Sequence, residues 1–407
     1  MNLLFIHQNF PGQFRHLAPA MQAAGHKVRA LAVQGKGLEG IETVRHQPNI
    51  QPSATIHPWL AEFETKLIRG TSALQAMLNM KQQGWTPDLV VAHPAWGEAM
   101  FIKEVWPSTK VLAFLEFYYA AHGRDVGFEP QEPALSMDAL ARLRLKNMTH
   151  MLALECMDRG IAPTLWQRST FPAVWQDRID VIFDGIDTQV VRPDARPQMQ
   201  LKHPDGTGHR LKVGDEVLTF VARHLEPYRG YHQFMRALPK IQAQRPQAIT
   251  LIVGGDGHSY GPAAPPGTSW KDVFLNEVKD QLDMSRIYFL GTLAYENYLK
   301  VLQISACHVY LTYPFVLSWS CVEALSTGCA VVGSNTAPVQ EVIEDGKNGL
   351  LCDFFDAQGL ADKVSHILKH PDLYKKMRLQ ARQTALSRYD LQTQCLPAQR
   401  KLLTSMV

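Results

Sequence analysis

VLTFVARHLEPYRG, residues 217–230, sets two arginines directly behind an apolar, strand-like run, and the reading of that stretch decides the fold. Farther along, LTYPFVLSWSCVEALSTGCAVVGS, residues 311–334, answers it. Arg223 and Arg229 follow a strand, so both can reach one anion from the same loop. Where LSWSCVEAL opens a helix, the N–H groups of its first turn and its dipole favour negative charge at the same place. Taken apart, each half is ordinary: paired arginines usually form a solvated surface, and Ser-rich helix starts are usually caps. Their order and spacing point instead to a diphosphate site.

Around these stretches, short apolar runs alternate with amphipathic ones, the pattern of parallel α/β layers. In the first half NLLFIH, KVRALAV, DLVVA, KVLAFLEF and DVIF read as strands, with helices expected near 13–24, 60–82, 97–105 and 136–155. The second half restarts with VLTFVA, TLIVGG, RIYFLG, CHVYL, CAVVG and GLLC. Between them QVVRPDARPQMQLKHPDGTGHRLKVGD, residues 189–215, is rich in Pro, Gly and charge and reads as a linker. Two similar doubly wound domains place a ligand cleft at the C-terminal edges of both sheets.

Composition narrows the function classes. A chain of 407 residues can hold two full cores, and 46% hydrophobic with 19% charged residues is ordinary for a globular protein. The net charge of +3 gives no sign of nucleic-acid binding driven by bulk charge. Six cysteines without a CxxC pair or metal-ligand spacing read as buried free thiols in a reducing compartment. The start MNLLFIHQNF lacks a basic leader and reads as a first strand. ISACHVYLTYPFVLSWSCVEAL, residues 304–325, is apolar enough to suggest a membrane span, but His308, Pro314 and its Ser/Thr density favour a buried strand running into a helix.

FVARHLEPYRG resembles the Gly-Arg…Lys-Gly segment of retaining GT-B glycosyltransferases of family 4, with Arg229 where that family usually has Lys. FVLSWSCVEALSTGCAVV is similar to the family's motif of two glutamates separated by seven residues. Glu323 matches the second glutamate, whereas Phe315 occupies the position of the first. The similarity extends from FIHQNFPGQFRHLAPAM through APTLWQ and VIFDGIDTQVVRP to GLLCDFFD. The resemblance implies an α/β GT-B fold, two doubly wound Rossmann-like domains facing across a cleft. Residues 1–190 would form the acceptor side and 206–387 the nucleotide-sugar side, with a C-terminal helix near 388–407 packing back on the first domain.

The resemblance also assigns roles. Glu323 would accept hydrogen bonds from the ribose hydroxyls, as a two-oxygen acceptor can. Ser318 and Trp319 align with the family's Gly-Leu, making their backbone N–H groups candidates for the diphosphate. The base would lie near FLGTLAYEN, held by backbone around Leu293. Gly12, in NFPGQF behind the first strand, either lets backbone approach a ligand or simply forms a turn, with Gln13 as its polar neighbour. His93, at the C-terminal edge of a strand, is either a catalyst or a satisfied structural residue. Glu116 falls where many relatives carry a His near the donor sugar. It would hydrogen-bond a sugar or acceptor hydroxyl, or else be capped by neighbouring backbone. GGDGHSYGPAAPPGTSW, residues 254–270, is a substrate-side element or a mobile surface loop.

The expected reaction moves a sugar from a nucleotide-diphosphate sugar, UDP-sugar before GDP-mannose, to an acceptor hydroxyl, with no further cofactor and no metal. Arg223, Arg229 and a helix start can stabilise the departing diphosphate. Double displacement needs two placed carboxylates, and Phe315 removes one, which favours retention by front-face attack. A UDP-sugar 2-epimerase of GT-B fold and a catalytically inactive nucleotide-sugar-binding protein are the competing classes. The acceptor is a carbohydrate, lipid-linked or other hydroxyl in polysaccharide or glycoconjugate synthesis, in the cytoplasm. SMDALARLRLKNMTHMLALECM, residues 136–157, reads as either an ordinary packed helix or a basic amphipathic one resting on an anionic bilayer.

Overall fold

A computed structural model describes every residue of the chain except Glu132. The chain divides into two compact units, Met1–Asp184 with Gln392–Val407, and Gly185–Leu391.

Seven parallel strands form the first unit's sheet: β1 (Asn2–Ile6), β2 (Lys27–Ala32), β3 (Glu42–Arg45), β4 (Leu89–Ala92), β5 (Lys110–Phe114), β6 (Arg159–Ala162) and β7 (Ile179–Val181). Their spatial order is β3-β2-β1-β4-β5-β6-β7. Successive side chains of a strand face opposite ways, and β1 shows the result. Leu3 and Phe5 join Phe14, Leu17 and Met21 on one face, with Leu402 and Leu403 of the helix Leu396–Ser405. Leu4 and Ile6 join Ala73, Met77 and Met80 of the helix Ala61–Gln82 on the other. A sheet buried on both faces reads as continuous apolar runs, which is why NLLFI shows no alternation. Phe5→Ala would cost about 3–5 kcal/mol, the range for emptying a fully buried aromatic site.

Two strands of this sheet were not anticipated. β3, sequence ETVR, is a polar edge strand with no fully buried residue. β6, sequence RGIA, lies between β5 and β7 but is too short and too poor in apolar bulk to stand out. The helix expected over 136–155 is two helices, Met137–Lys146 and Met148–Cys156. Asn147 divides them because its side chain is spent on the backbone of Tyr119, accepting from its N–H and donating to its C=O, both at 2.9 Å. Arg142 pairs with Asp138 at 2.7 Å, and Lys146 lies 4.1 Å above the Tyr119 ring. These cations thus serve the chain's own packing, and the bilayer reading gains no support from them. Among the described residues no helix is long and apolar enough to cross a membrane.

The second unit carries a parallel sheet of β10 (Val217–His224), β11 (Ile249–Gly255), β12 (Ile287–Gly291), β13 (Cys307–Tyr310), β14 (Val331–Ser334) and β15 (Leu350–Cys352), in the order β12-β11-β10-β13-β14-β15. Much of the stretch expected as a linker is instead an antiparallel hairpin, β8 (Gln198–Lys202) and β9 (Gly208–Lys212). QMQLK and GHRLK alternate polar and apolar residues, so one face can be buried. Leu211, Met199 and Leu201 pack with Val217, Ile249 and Leu251, while His209 Nδ1 meets the Tyr288 hydroxyl at 2.7 Å.

In each sheet the strand order reverses once, between β1 and β4 in the first unit and between β10 and β13 in the second. Connections leave to opposite sides there, so the carboxyl ends of the strands open a crevice. His7, His93 and Glu116 follow β1, β4 and β5; Arg223 ends β10, and residues 311–318 follow β13.

Candidate functional site

At the first unit's reversal, side chains from three strand ends form one hydrogen-bonded chain. The Asn9 N–H donates to His7 Nδ1 at 2.9 Å, which assigns the His7 proton to Nε2. His7 Nε2 then donates to Gln13 Oε1, and Gln13 Nε2 donates to Glu116 Oε1, both at 2.7 Å. On the other side the Ala95 N–H reaches His93 Nδ1 at 3.4 Å, which turns the His93 Nε2 proton toward Glu116 Oε2 at 3.2 Å. That last contact is within reach of the carboxylate's charge but off the line of a good hydrogen bond. His93 is also stacked on Trp96 at 4.3 Å.

Burial works to raise the pKa of Glu116, but His93, Gln13 and His7 together outweigh it and hold the carboxylate below its ordinary range. Its side chain keeps 29% of its surface exposed, so an ionised oxygen is reachable from solvent. Burial, then the nearby His93, lowers His7 to about 4 against the opposing Gln13 and Glu116 contacts, so His7 is neutral at pH 7. The site therefore presents one carboxylate steered by two imidazoles.

His7 was not singled out from sequence, although it ends the first strand just ahead of NFPGQF. It also explains Gly12. A Cβ there would lie 2.3 Å from His7 Nε2, and the backbone φ of +48° is the left-handed region that favours glycine. The room left by the missing Cβ is taken by the imidazole.

The second unit separates its two arginines. Arg223 is exposed at the end of β10. Arg229 is buried, its Nη1 donating to Thr312 Oγ1 and to the Val316 carbonyl, both at 2.9 Å. Gly230 ends its turn at a φ of +68°, and a Cβ there would lie 2.3 Å from Leu311 Cβ, so the glycine lets the arginine's loop settle on the strand end. Arg229 is thus a structural strut for residues 312–316 as well as a buried positive charge.

The helix Trp319–Ser326 starts at Ser318, whose Oγ accepts from the Ser320 N–H at 3.3 Å. The Ser318 N–H itself donates to the Tyr310 hydroxyl at 2.8 Å, so it is committed inside the protein and is not presented to a diphosphate. Trp319 begins the helix, where its position still contributes to the positive end of the dipole. Glu323, one turn on, is 4% exposed and accepts from two phenols, Tyr295 at 2.7 Å and Tyr298 at 2.6 Å. Leu293 lies in the turn between β12 and the helix Tyr295–Ile304, with its side chain packed on the cluster of Leu251 and Val253.

Phe315 is buried, 5.5 Å from the Tyr228 ring and 5.0 Å from that of Tyr260. It therefore fills an aromatic cluster. Tyr260 comes from the loop after β11, and Glu226 accounts for its place: the Glu226 carboxylate accepts the N–H groups of Ser259, Tyr260 and Gly261 at 3.1–3.4 Å. Three converging N–H donors fold the loop over a buried anion. Neither Glu226 nor the tyrosines had marked themselves in the sequence, because their partners are remote in the chain.

The profile of the glycosyl transferase family 4 group matches residues 24–191, and that of the glycosyl transferases group 1 matches residues 207–384. The chain belongs to the GT-B glycosyltransferases of family 4. It is 24% identical over 405 residues to a glycogen synthase of Mycobacterium tuberculosis, covering 93% of this chain and 86% of that one. An N-acetyl-alpha-D-glucosaminyl L-malate synthase of Bacillus anthracis is 24% identical over 211 residues, 52% of this chain and 50% of that one. Among solved structures, sucrose-phosphate synthase from Thermosynechococcus elongatus superposes with a TM-score of 0.71 at 18% identity, over all of both chains. Anabaena HepE in complex with UDP and glucose does so with 0.67 at 16%, also over all of both. The α/β GT-B architecture read from the motifs is the one these structures share.

Proposed function

We propose that this glycosyltransferase takes a nucleoside-diphosphate sugar, a UDP-sugar before GDP-mannose, and transfers the sugar to an acceptor hydroxyl with retention and without a metal. The observation that carries this reading is the grouping at the second unit's strand reversal of Arg223, Arg229, the start of the helix Trp319–Ser326 and the buried carboxylate Glu323. Cations and a helix end suit a diphosphate, and a two-oxygen acceptor suits a ribose diol. A glycogen synthase among the relatives and UDP with glucose bound to HepE are consistent with the same donor class.

In the reaction the bond from the anomeric carbon to the diphosphate oxygen breaks, and the acceptor oxygen bonds the same carbon from the same face. Its proton passes to the departing diphosphate. Arg223 and Arg229 offset the charge that develops there. Glu116, ionised and steered by Gln13 and His93, accepts a hydrogen bond from a sugar or acceptor hydroxyl and orients it. The acceptor is a carbohydrate or glycoconjugate hydroxyl in the cytoplasm. A thermal-shift screen with UDP-, GDP-, ADP- and dTDP-sugars tests the proposal, since a ligand at about 100 times its Kd adds about 2.7 kcal/mol of stability. Stabilisation by one of them supports it; a flat response to all four overturns it.

A further inference from the structure

We propose that Tyr295 and Tyr298 are positioning residues that hold the Glu323 carboxylate in the plane needed to grip both hydroxyls of a ribose, and so make this enzyme selective for ribonucleotides. The inference rests on the nucleotide reading above and names side chains that no part of that reading uses.

The geometry is specific. Tyr295 and Tyr298 lie three residues apart on the helix Tyr295–Ile304, a spacing that sets two side chains on one face. Their ring centroids are 5.8 Å apart, and their hydroxyls divide the carboxylate between them, one on Oε1 and one on Oε2. A carboxylate has about four acceptor positions, so one donor on each oxygen leaves about one more on each. Two remaining positions on two oxygens match two vicinal hydroxyls. They match only while the carboxylate is prevented from rotating, and a donor at each oxygen provides that restraint.

The two phenols are not equivalent. Tyr295 is 44% exposed, whereas Tyr298 is half-buried and its hydroxyl is held in the protonated, donating state by burial and by the Glu323 charge. Tyr298 is the fixed anchor and Tyr295 the outer guide. A purely structural role, satisfying a buried carboxylate, would leave nucleotide discrimination untouched, which makes the two roles separable.

The experiment measures Kd by calorimetry for UDP and for 2′,3′-dideoxy-UDP with wild type, Tyr298→Phe and Tyr295→Phe. Wild type should prefer UDP by about 10–100-fold, the range for charge-assisted hydrogen bonds to a diol. In Tyr298→Phe the preference should fall below about 5-fold, chiefly through weaker UDP binding, with the dideoxy Kd nearly unchanged. Tyr295→Phe, altered at an exposed ring and so a second reading if the first variant folds poorly, should fall partway. An unchanged UDP preference in both variants, or an equal loss for both nucleotides, overturns the positioning role while leaving the nucleotide reading intact. If wild type binds none of UDP, GDP, ADP and dTDP, that reading fails as well.

Discussion

The Arg229 guanidinium lies 5.0 Å from the centroid of the Tyr260 ring, and the ring is there because Glu226 holds its loop by three backbone N–H groups. A cation faced by an aromatic ring keeps its charge while losing water, the condition in which it acts most strongly on an incoming anion.

The two arginines should separate in mutants. Arg223→Ala should slow transfer by roughly two orders of magnitude with the melting temperature unchanged, because an exposed side chain supports no packing. Arg229→Ala should lose as much activity and also about 1–3 kcal/mol of stability, since Thr312 Oγ1 and the Val316 carbonyl are left without their donor. Paired kinetics and thermal melts check this; equal stability losses in the two variants would count against it.

Glu226→Ala should free the loop after β11. Hydrogen exchange at Ser259, Tyr260 and Gly261 should rise at least about tenfold, because each amide loses an acceptor. Transfer should fall with it. Protection that stays at wild-type levels would show that other contacts hold the loop.

Glu116→Gln keeps the shape and removes the charge. The maximal rate should drop by about 10²-fold while UDP affinity stays put, because Glu116 and the diphosphate site belong to different units. A parallel loss of UDP binding would refute the assignment of Glu116 to the transferred or accepting hydroxyl.

Stability should fall in acid in a defined order. Burial holds His7 and His46 at about 4 and His150 and His308 at about 3, against an ordinary 6.5. Below pH 6.5 the unfolded chain binds protons that these folded imidazoles refuse, so stability declines as pH falls from 6.5 toward 4, by about 1–3 kcal/mol per histidine. Glu116 acts lower: its depressed pKa stabilises the fold above the ordinary 4.5 and is lost as pH falls through the folded value. Urea midpoints at pH 7.5, 6 and 5 should decrease in that order, and a flat series would contradict the burial of these rings.

Strands such as NLLFI and VLTFVA could be read because burial on both faces leaves unbroken apolar runs, and the motif around Glu323 could be read because its parts are close in sequence. Tyr260, Glu226 and the phenols on Glu323 could not, since each acts on a residue at least 25 positions away and nothing local marks the partner. The hairpin β8–β9 was hidden by its turn residues, which have the composition of a linker. Gly12 is a third case: its need for space was legible, but the sequence does not say that His7 lies against it.

Because Leu402 and Leu403 belong to the first unit's core, that core is unfinished until residues 392–407 have left the ribosome. Residues 185–391 form a sheet of their own earlier, so during synthesis the second unit can close before the first. The two passages between units run side by side, with the Ile186 N–H donating to the Tyr389 carbonyl at 2.8 Å and the Leu391 N–H to the Ile186 carbonyl at 2.9 Å. The helix Leu396–Ser405 therefore completes the first unit's core after all of the second unit's residues have been made. A chain cut back before Leu396 would leave bare the apolar face of β1 and β2 that Leu402 and Leu403 cover.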